Sequence, residues 1–456
     1  MNALILSAVS GVVMMFGAFL LQSKTAVRTL AHVLLVGVIL VTILELRGVS
    51  FFDIDLRGMM SFDRFALLFI LVAALSTLAF FLLSSRDMED VGAHYSDYFA
   101  LIFFIFAGVV LVASSKSLLI LFLGIEIMSI PLYILTGSDK RNLKSNEASL
   151  KYFLMGSFST GIMLMGIALV YGASGTFLTE LIGARATANS ALLIAGLMML
   201  LFAMSFKVSA APFHFWTPDV YDGAPTVFTS FMATVVKAAS FIAFMRLFED
   251  AFGAIRPEWK VLVAVVVAAT LFIGNITAVF QQSVKRMLAY SSIAQAGFMM
   301  MAVYAINADA KEGLILYVAA YSLATIGIFA VLVKMRDYTF EGFNGFARQQ
   351  PLVAATLVIF LLSLAGIPLT AGFLSKFYML KATIDGGSLW LAIFAVLMAA
   401  VSVYYYFRLI QSMYFKEGEE NGVVLSSGFK LTLVAMAAIT VLLGLFPNIL
   451  TNWLYF

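Results

Sequence analysis

Apolar stretches long enough to cross a membrane follow one another along the whole chain and leave room for little else. A spanning helix needs about 20 mostly apolar residues. Fourteen stretches meet or approach that length: Ala3–Leu21, Leu30–Leu46, Phe65–Leu83, Tyr98–Ala113, Leu118–Leu135, Ala148–Tyr171, Ala191–Ala211, Thr226–Phe248, Val261–Gln281, Met287–Ile306, Leu314–Lys334, Leu352–Lys381, Leu389–Phe415 and Lys430–Leu450. The connections are short, and none has the length of a soluble domain. Backbone groups in lipid must be satisfied internally, which makes the spans helices. The chain thus reads as one all-α polytopic membrane domain, 1–456, of about fourteen transmembrane helices. Composition agrees: 62% of residues are hydrophobic and 12% charged, against roughly 25% charged in soluble domains. A soluble monomer could not cover its surface with so few polar groups. A cytosolic enzyme and a nucleic-acid binder are excluded.

The first stretch has no positively charged n-region and no convincing cleavage site, so it reads as a retained helix. Lysine and arginine between the stretches give the orientation. One set of loops carries Lys24, Arg28, Arg86, Lys140, Arg141, Lys144, Lys285, Arg286, Arg336, Arg348 and Lys416. The other carries Arg47, Arg57, Arg64, Lys116, Arg185, Arg256, Lys260 and Lys311. The excess places the first set in the cytoplasm and both termini on the opposite, periplasmic side. Lys285, Arg286, Lys334 and Arg336 flank cytoplasmic ends and read most simply as orientation anchors.

Ionisable residues at membrane depth are rare and usually functional. Glu126 lies mid-span in LLILFLGIEIMSIPLYIL, where a short carboxylate reaches neither surface. Lys237 is as central in TVFTSFMATVVKAASFIAFMRLF. Lys207 lies near the end of its stretch, one turn before Pro212. Proline breaks the helix there, and freed carbonyls are tolerated only where they face protein or a wet cavity. The twelfth stretch repeats the arrangement, with Gly366, Pro368 and Gly372 inside it and Lys376 just beyond. Two interrupted helices, each with a buried lysine, point to a transport path. Their offset of five spans predicts two inverted five-helix repeats, helices 4–8 and 9–13, with helices 7 and 12 broken. The corresponding segments are 1–97 for helices 1–3, 98–248 and 261–415 for the repeats, and 428–456 for helix 14. Lys151 lies a turn or so inside its stretch, where snorkelling competes with function. His214 follows Pro212; a packed histidine and a proton relay are both open readings.

These residues permit proton transfer. Burial in apolar surroundings disfavours the charged form of a lysine, and a nearby carboxylate favours it. The chain has no cysteine and three scattered histidines, His32, His94 and His214. Thiolate metal sites, thiolate-held iron–sulfur clusters and a His-rich metal site are therefore not expected. No GxGxxG fingerprint, phosphate-binding loop or paired-histidine haem arrangement occurs either, so uphill movement of a proton would need a partner to drive it.

Three strings carry a family resemblance: KVSAAPFHFWTPDVYDGAPT (Lys207–Thr226), SVKRMLAYSSIAQAGF (Ser283–Phe298) and AGIPLTAGFLSKFYML (Ala365–Leu380). They resemble the antiporter-like membrane subunits of respiratory complex I, NADH:quinone oxidoreductase, over essentially the whole chain. The TPDVYDGAP string and the lysine at Lys376 are nearest to the N-type branch. The resemblance implies a non-redox, proton-translocating subunit with Glu126, Lys207, Lys237 and Lys376 along the proton path. Lys207 is expected to pair with Glu126, and Lys151 to modulate that pair. It further implies that NADH, FMN, iron–sulfur clusters and quinone belong to partner subunits. The expected partners are the other membrane-arm subunits and membrane lipids, and the expected location is the bacterial inner membrane. The competing reading is a subunit of a multi-subunit cation/proton antiporter, in which a glutamate would typically replace Lys376. A related complex with a different electron donor also competes, as does a membrane scaffold whose charges merely pack.

Overall fold

The structure is a computed structural model describing residues 1–21, 23–52, 54–92, 95–186, 190–418 and 425–455. His94 and Phe456 lie outside the described residues. Among the described residues no strand forms beyond three isolated bridges, such as Ser283 with Thr339. Among the described residues ten helical stretches are long and apolar enough to cross a membrane. One of them, Thr226–Val279, is divided by a short 3-10 turn at Gly253–Ile255. Three shorter apolar helices accompany them: Asn2–Gly17, Ala191–Lys207 and Pro351–Ala365.

Polar side chains set where helices begin. The first N–H groups of a helix lack intrahelical partners and are met by capping oxygens. Ser23, Asp63, Asn142, Ser283, Asn307 and Ser426 each accept from the helix they precede. Several helices therefore start earlier than their apolar stretches. Lys24–Leu46 and Leu143–Ser174 gain a polar first turn, so Lys151 stands well inside its helix.

Both expected breaks are present, and the lysines fall on opposite sides of them. The first broken helix runs Ala191–Lys207, stops, and resumes as Trp216–Gly223; Lys207 is the last residue before the gap. The second runs Pro351–Ala365 and resumes as Ala371–Asp385, with Lys376 in the second half.

Ion pairs gather at two ends of the bundle. At one end Glu89 meets Lys24 and Arg28, Asp87 meets Lys334, and Asp219 meets Lys151 and Arg286. At the other, Glu45 meets the Met1 amine, Asp63 meets Arg246, Asp250 meets Lys116, and Glu249 meets Lys311. Tyr455 bonds Glu312 at this second end, so Met1 and Tyr455 share it. Among the described residues no ion pair joins the two ends, and the Lys207–Glu126 pair lies between them.

Candidate functional site

Glu126 is carried by the Leu118–Thr136 helix and faces two neighbours. Its Oε1 accepts from the Thr160 hydroxyl at 2.8 Å and lies 3.9 Å from the Lys207 ammonium. Lys207 also donates to the Ser129 hydroxyl at 3.0 Å. Residues Glu126 and Ser129 are three apart on one helix face, so a single face presents both partners to the ammonium. The break beside Lys207 is rich in polar atoms. Ser205, Ser209, His214 and Thr217 each bury a side-chain polar atom that no protein group bonds. An unmade buried hydrogen bond costs about 1–3 kcal/mol, so such atoms mark a place that water can serve. His214 is itself buried and stacks on Phe215.

Aromatic rings connect this region to Lys237. Tyr133 meets Tyr152, Tyr152 stacks on Trp216 at 4.7 Å, and Trp216 meets Tyr221 edge-on. The Lys237 ammonium lies 5.5 Å from the Tyr221 ring. Lys237 is buried and donates to the Ser292 hydroxyl at 2.9 Å and the Ser292 carbonyl at 3.2 Å. A π-helical stretch, Met232–Val236, directly precedes it; such irregular turns are frequent at functional sites.

The second break is built around carbonyl ends. A helix leaves its last four carbonyls unpaired. Gly366, at a positive φ of 84°, turns the chain back so that its own N–H and that of Ile367 satisfy Leu362 and Ser363. The other two carbonyls, Leu364 and Ala365, accept from the Lys376 ammonium at 2.8 and 3.0 Å. A Cβ at Gly366 would come within 2.8 Å of the Lys376 stem. Lys376 lies 4.6 Å from the Phe298 ring. Gln295 donates to the same Leu364 carbonyl at 2.9 Å and to the Tyr406 hydroxyl at 3.0 Å, and accepts from Tyr317. Gln295, Tyr317, Tyr321 and Lys376 also line a cavity of about 10 Å³, about the room one water needs.

The structure thus brings Glu126 and Lys207 together and links Lys237 and Lys376 through the Val284–Ala305 helix. It does not bring Lys151 to the Glu126 pair. Lys151 is half-exposed at one end of the bundle, bonded to Glu147 at 2.8 Å and Asp219 at 2.9 Å. Lys285 is more than an anchor: it is buried and donates to the Asp222 and Ala224 carbonyls, closing the end of the Trp216–Gly223 helix. Sequence reasoning missed Thr160, Ser129, Ser292, Gln295, Tyr317 and Tyr406. A glutamine and adjacent tyrosines inside apolar stretches were the available signal.

Comparison with known proteins places this arrangement in a class. Residues 115–402 match the family described as NADH:quinone oxidoreductase/Mrp antiporter, TM. The fold is shared with a chain of the Mrp complex from Dietzia sp. (TM-score 0.86, 18% identity, 99% of this chain and 96% of that one). The chain belongs to the NADH:quinone oxidoreductase/Mrp antiporter family, on the branch of the N subunits of NADH-quinone oxidoreductase. NADH-quinone oxidoreductase subunit N of Cytophaga hutchinsonii is 40% identical over 99% of this chain and 98% of its own length. A chain of respiratory complex I from Thermus thermophilus superposes with a TM-score of 0.86 at 32% identity, covering 99% of this chain and 98% of that one.

Proposed function

We propose that the chain works as the proton-translocating N subunit of NADH-quinone oxidoreductase, moving protons along Glu126, Lys207, Lys237 and Lys376. The observation that carries this reading is the surroundings of Lys237 and Lys376. Both ammonium groups are buried inside spanning helices and bonded to carbonyls and a hydroxyl. Among the described residues no carboxylate lies within ion-pair distance of either. A purely structural buried charge is normally paired with an opposite charge; these two face carbonyls, a hydroxyl and ring faces instead, so release of a proton strands no counter-charge. Glu126 and Lys207 form the station at which a lysine does face a carboxylate. His214 and the orphaned polar atoms beside it supply a wet approach to Lys207. Lys151 acts from the cytoplasmic mouth through Asp219, not by touching the pair.

The segments 98–248 and 261–415 serve as two inverted half-channels joined between Lys237 and Lys376. Gln295, Tyr317 and Tyr406 line the join. The subunit does no redox chemistry itself: NADH, FMN, iron–sulfur clusters and quinone are handled by partner subunits. Each proton moved outward works against about 2.3 kcal/mol per 100 mV, which electron transfer in those partners supplies. The subunit lies in the bacterial inner membrane with both termini in the periplasm.

Lys237→Met and Lys376→Met test the series arrangement, since methionine keeps much of the stem and removes the titrating group. Pumping and quinone reduction are measured in vesicles and normalised to assembled complex. Each single change lowers both several-fold, and the double variant is little worse than the more damaging single. Near-normal pumping in Lys237→Met would defeat the proposal.

A further inference from the structure

The Arg64–Ser84 and Ser427–Leu445 helices flank a two-part groove that the proton path does not use. One part, about 350 Å³, is walled mainly by aliphatic side chains, among them Val72, Leu75, Leu323, Ile439 and Leu443. The other, about 320 Å³, is polar and walled by Ser85, Arg86, Lys334 and Ser426. Leu82 and Thr432 belong to the walls of both, so the two parts adjoin. Leu75, Leu82 and Ile439 are exposed, which leaves the apolar part open to the side.

Depth and charge identify what fits. From Val72 to Leu82 the helix rises ~15 Å, half of a hydrocarbon core about 30 Å thick. The apolar part thus runs at least one leaflet deep and continues past Leu443 to Ile449 and Leu450, and the polar part lies at the end that carries Arg86 and Lys334. The Lys334 ammonium is neutralised by Asp87 and leans on the Phe429 ring. The Arg86 side chain is exposed and, among the described residues, makes no ion pair or hydrogen bond. Basic pockets between spanning helices at the cytoplasmic side hold anionic headgroups. We propose that this groove binds one anionic phospholipid of the cytoplasmic leaflet, its phosphate against Arg86 and an acyl chain along Leu82, Leu75 and Val72.

The test uses the assembled complex in phosphatidylcholine vesicles doped with phosphatidylglycerol bearing a diazirine in its acyl chain. After illumination, labelled peptides are mapped. Labelling is expected on the peptides containing Leu82 and Thr432. Arg86→Gln lowers it about five-fold, the effect of one cation near the surface. Ala435→Trp, an exposed change that fills the trough, abolishes it. The matching phosphatidylcholine probe labels weakly and equally in wild type and Arg86→Gln. Equal labelling by both lipids, or unchanged labelling in Arg86→Gln, overturns the proposal. So does failure of the Ala435→Trp chain to join its partner subunits while remaining folded, because the groove would then be a protein interface.

Discussion

At the scale of single residues, Glu126 is held by two contacts of different kinds. The Lys207 ammonium lies at 3.9 Å and the Thr160 hydroxyl donates directly at 2.8 Å. Glu126→Gln removes the charge and should lower pumping several-fold with assembly intact. Thr160→Val leaves the charge and removes one charge-assisted hydrogen bond, worth about 1.5–3 kcal/mol, so it should lower pumping less. Vesicle pumping normalised to assembled complex checks both; an effect of Thr160→Val equal to that of Glu126→Gln would contradict this division. The four ionisable residues inside the spans stood out in the sequence because a charge at the centre of a span is costly. Their hydroxyl partners did not. Serine and threonine inside helices bond their own backbone one turn back, as Thr42, Ser76, Thr77 and Ser114 do here. Nothing in the sequence separates Ser292 or Thr160 from these.

At the scale of elements, the second broken helix depends on close approach of its halves. A Cβ on Gly372 would lie 1.9 Å from the Ser363 carbonyl oxygen. Gly372→Ala must therefore push the Ala371–Asp385 half away from the carbonyl ends that hold Lys376. Overpacking of this kind costs about 1–3 kcal/mol. Gly161→Ala, in an open stretch of the Leu143–Ser174 helix, meets nothing within 4 Å and should stabilise by about 0.5–1 kcal/mol. Thermal unfolding midpoints of the assembled complex should move in opposite directions; equal shifts would show that the break tolerates separation. The breaks themselves were legible from Pro212 and the Gly366–Pro368 pair. The π-helical turn before Lys237 was not, because MATVV reads as ordinary helix and only packing adds the extra residue to the turn. Helix starts were misread by up to about two turns, since polar capping turns carry no apolar signal.

At the scale of the whole molecule, ion pairs sort the charged loops onto two ends, with Met1 and Tyr455 on one and Lys24 on the other. The proposed orientation, with both termini in the periplasm, predicts that Tyr455→Cys reacts with a membrane-impermeant maleimide from outside intact cells. Lys24→Cys reacts only after the inner face is opened. The reverse pattern would invert the assignment. The alternation of lysine and arginine made this sorting readable from sequence, whereas the groove beside Arg86 was not, because it depends on which spans become neighbours. The Val284–Ala305 helix gives the assembly a further property. It grips Lys237 through Ser292 and, one turn on, reaches the collar of Lys376 through Gln295. Lys237 hangs from this helix directly, and Lys376 hangs from the Leu364 carbonyl that the helix also holds. Rotation of that single rod would shift the seat of Lys237 and the shared carbonyl beneath Lys376 in the same stroke, whereas seats on separate rods would have to move one after another.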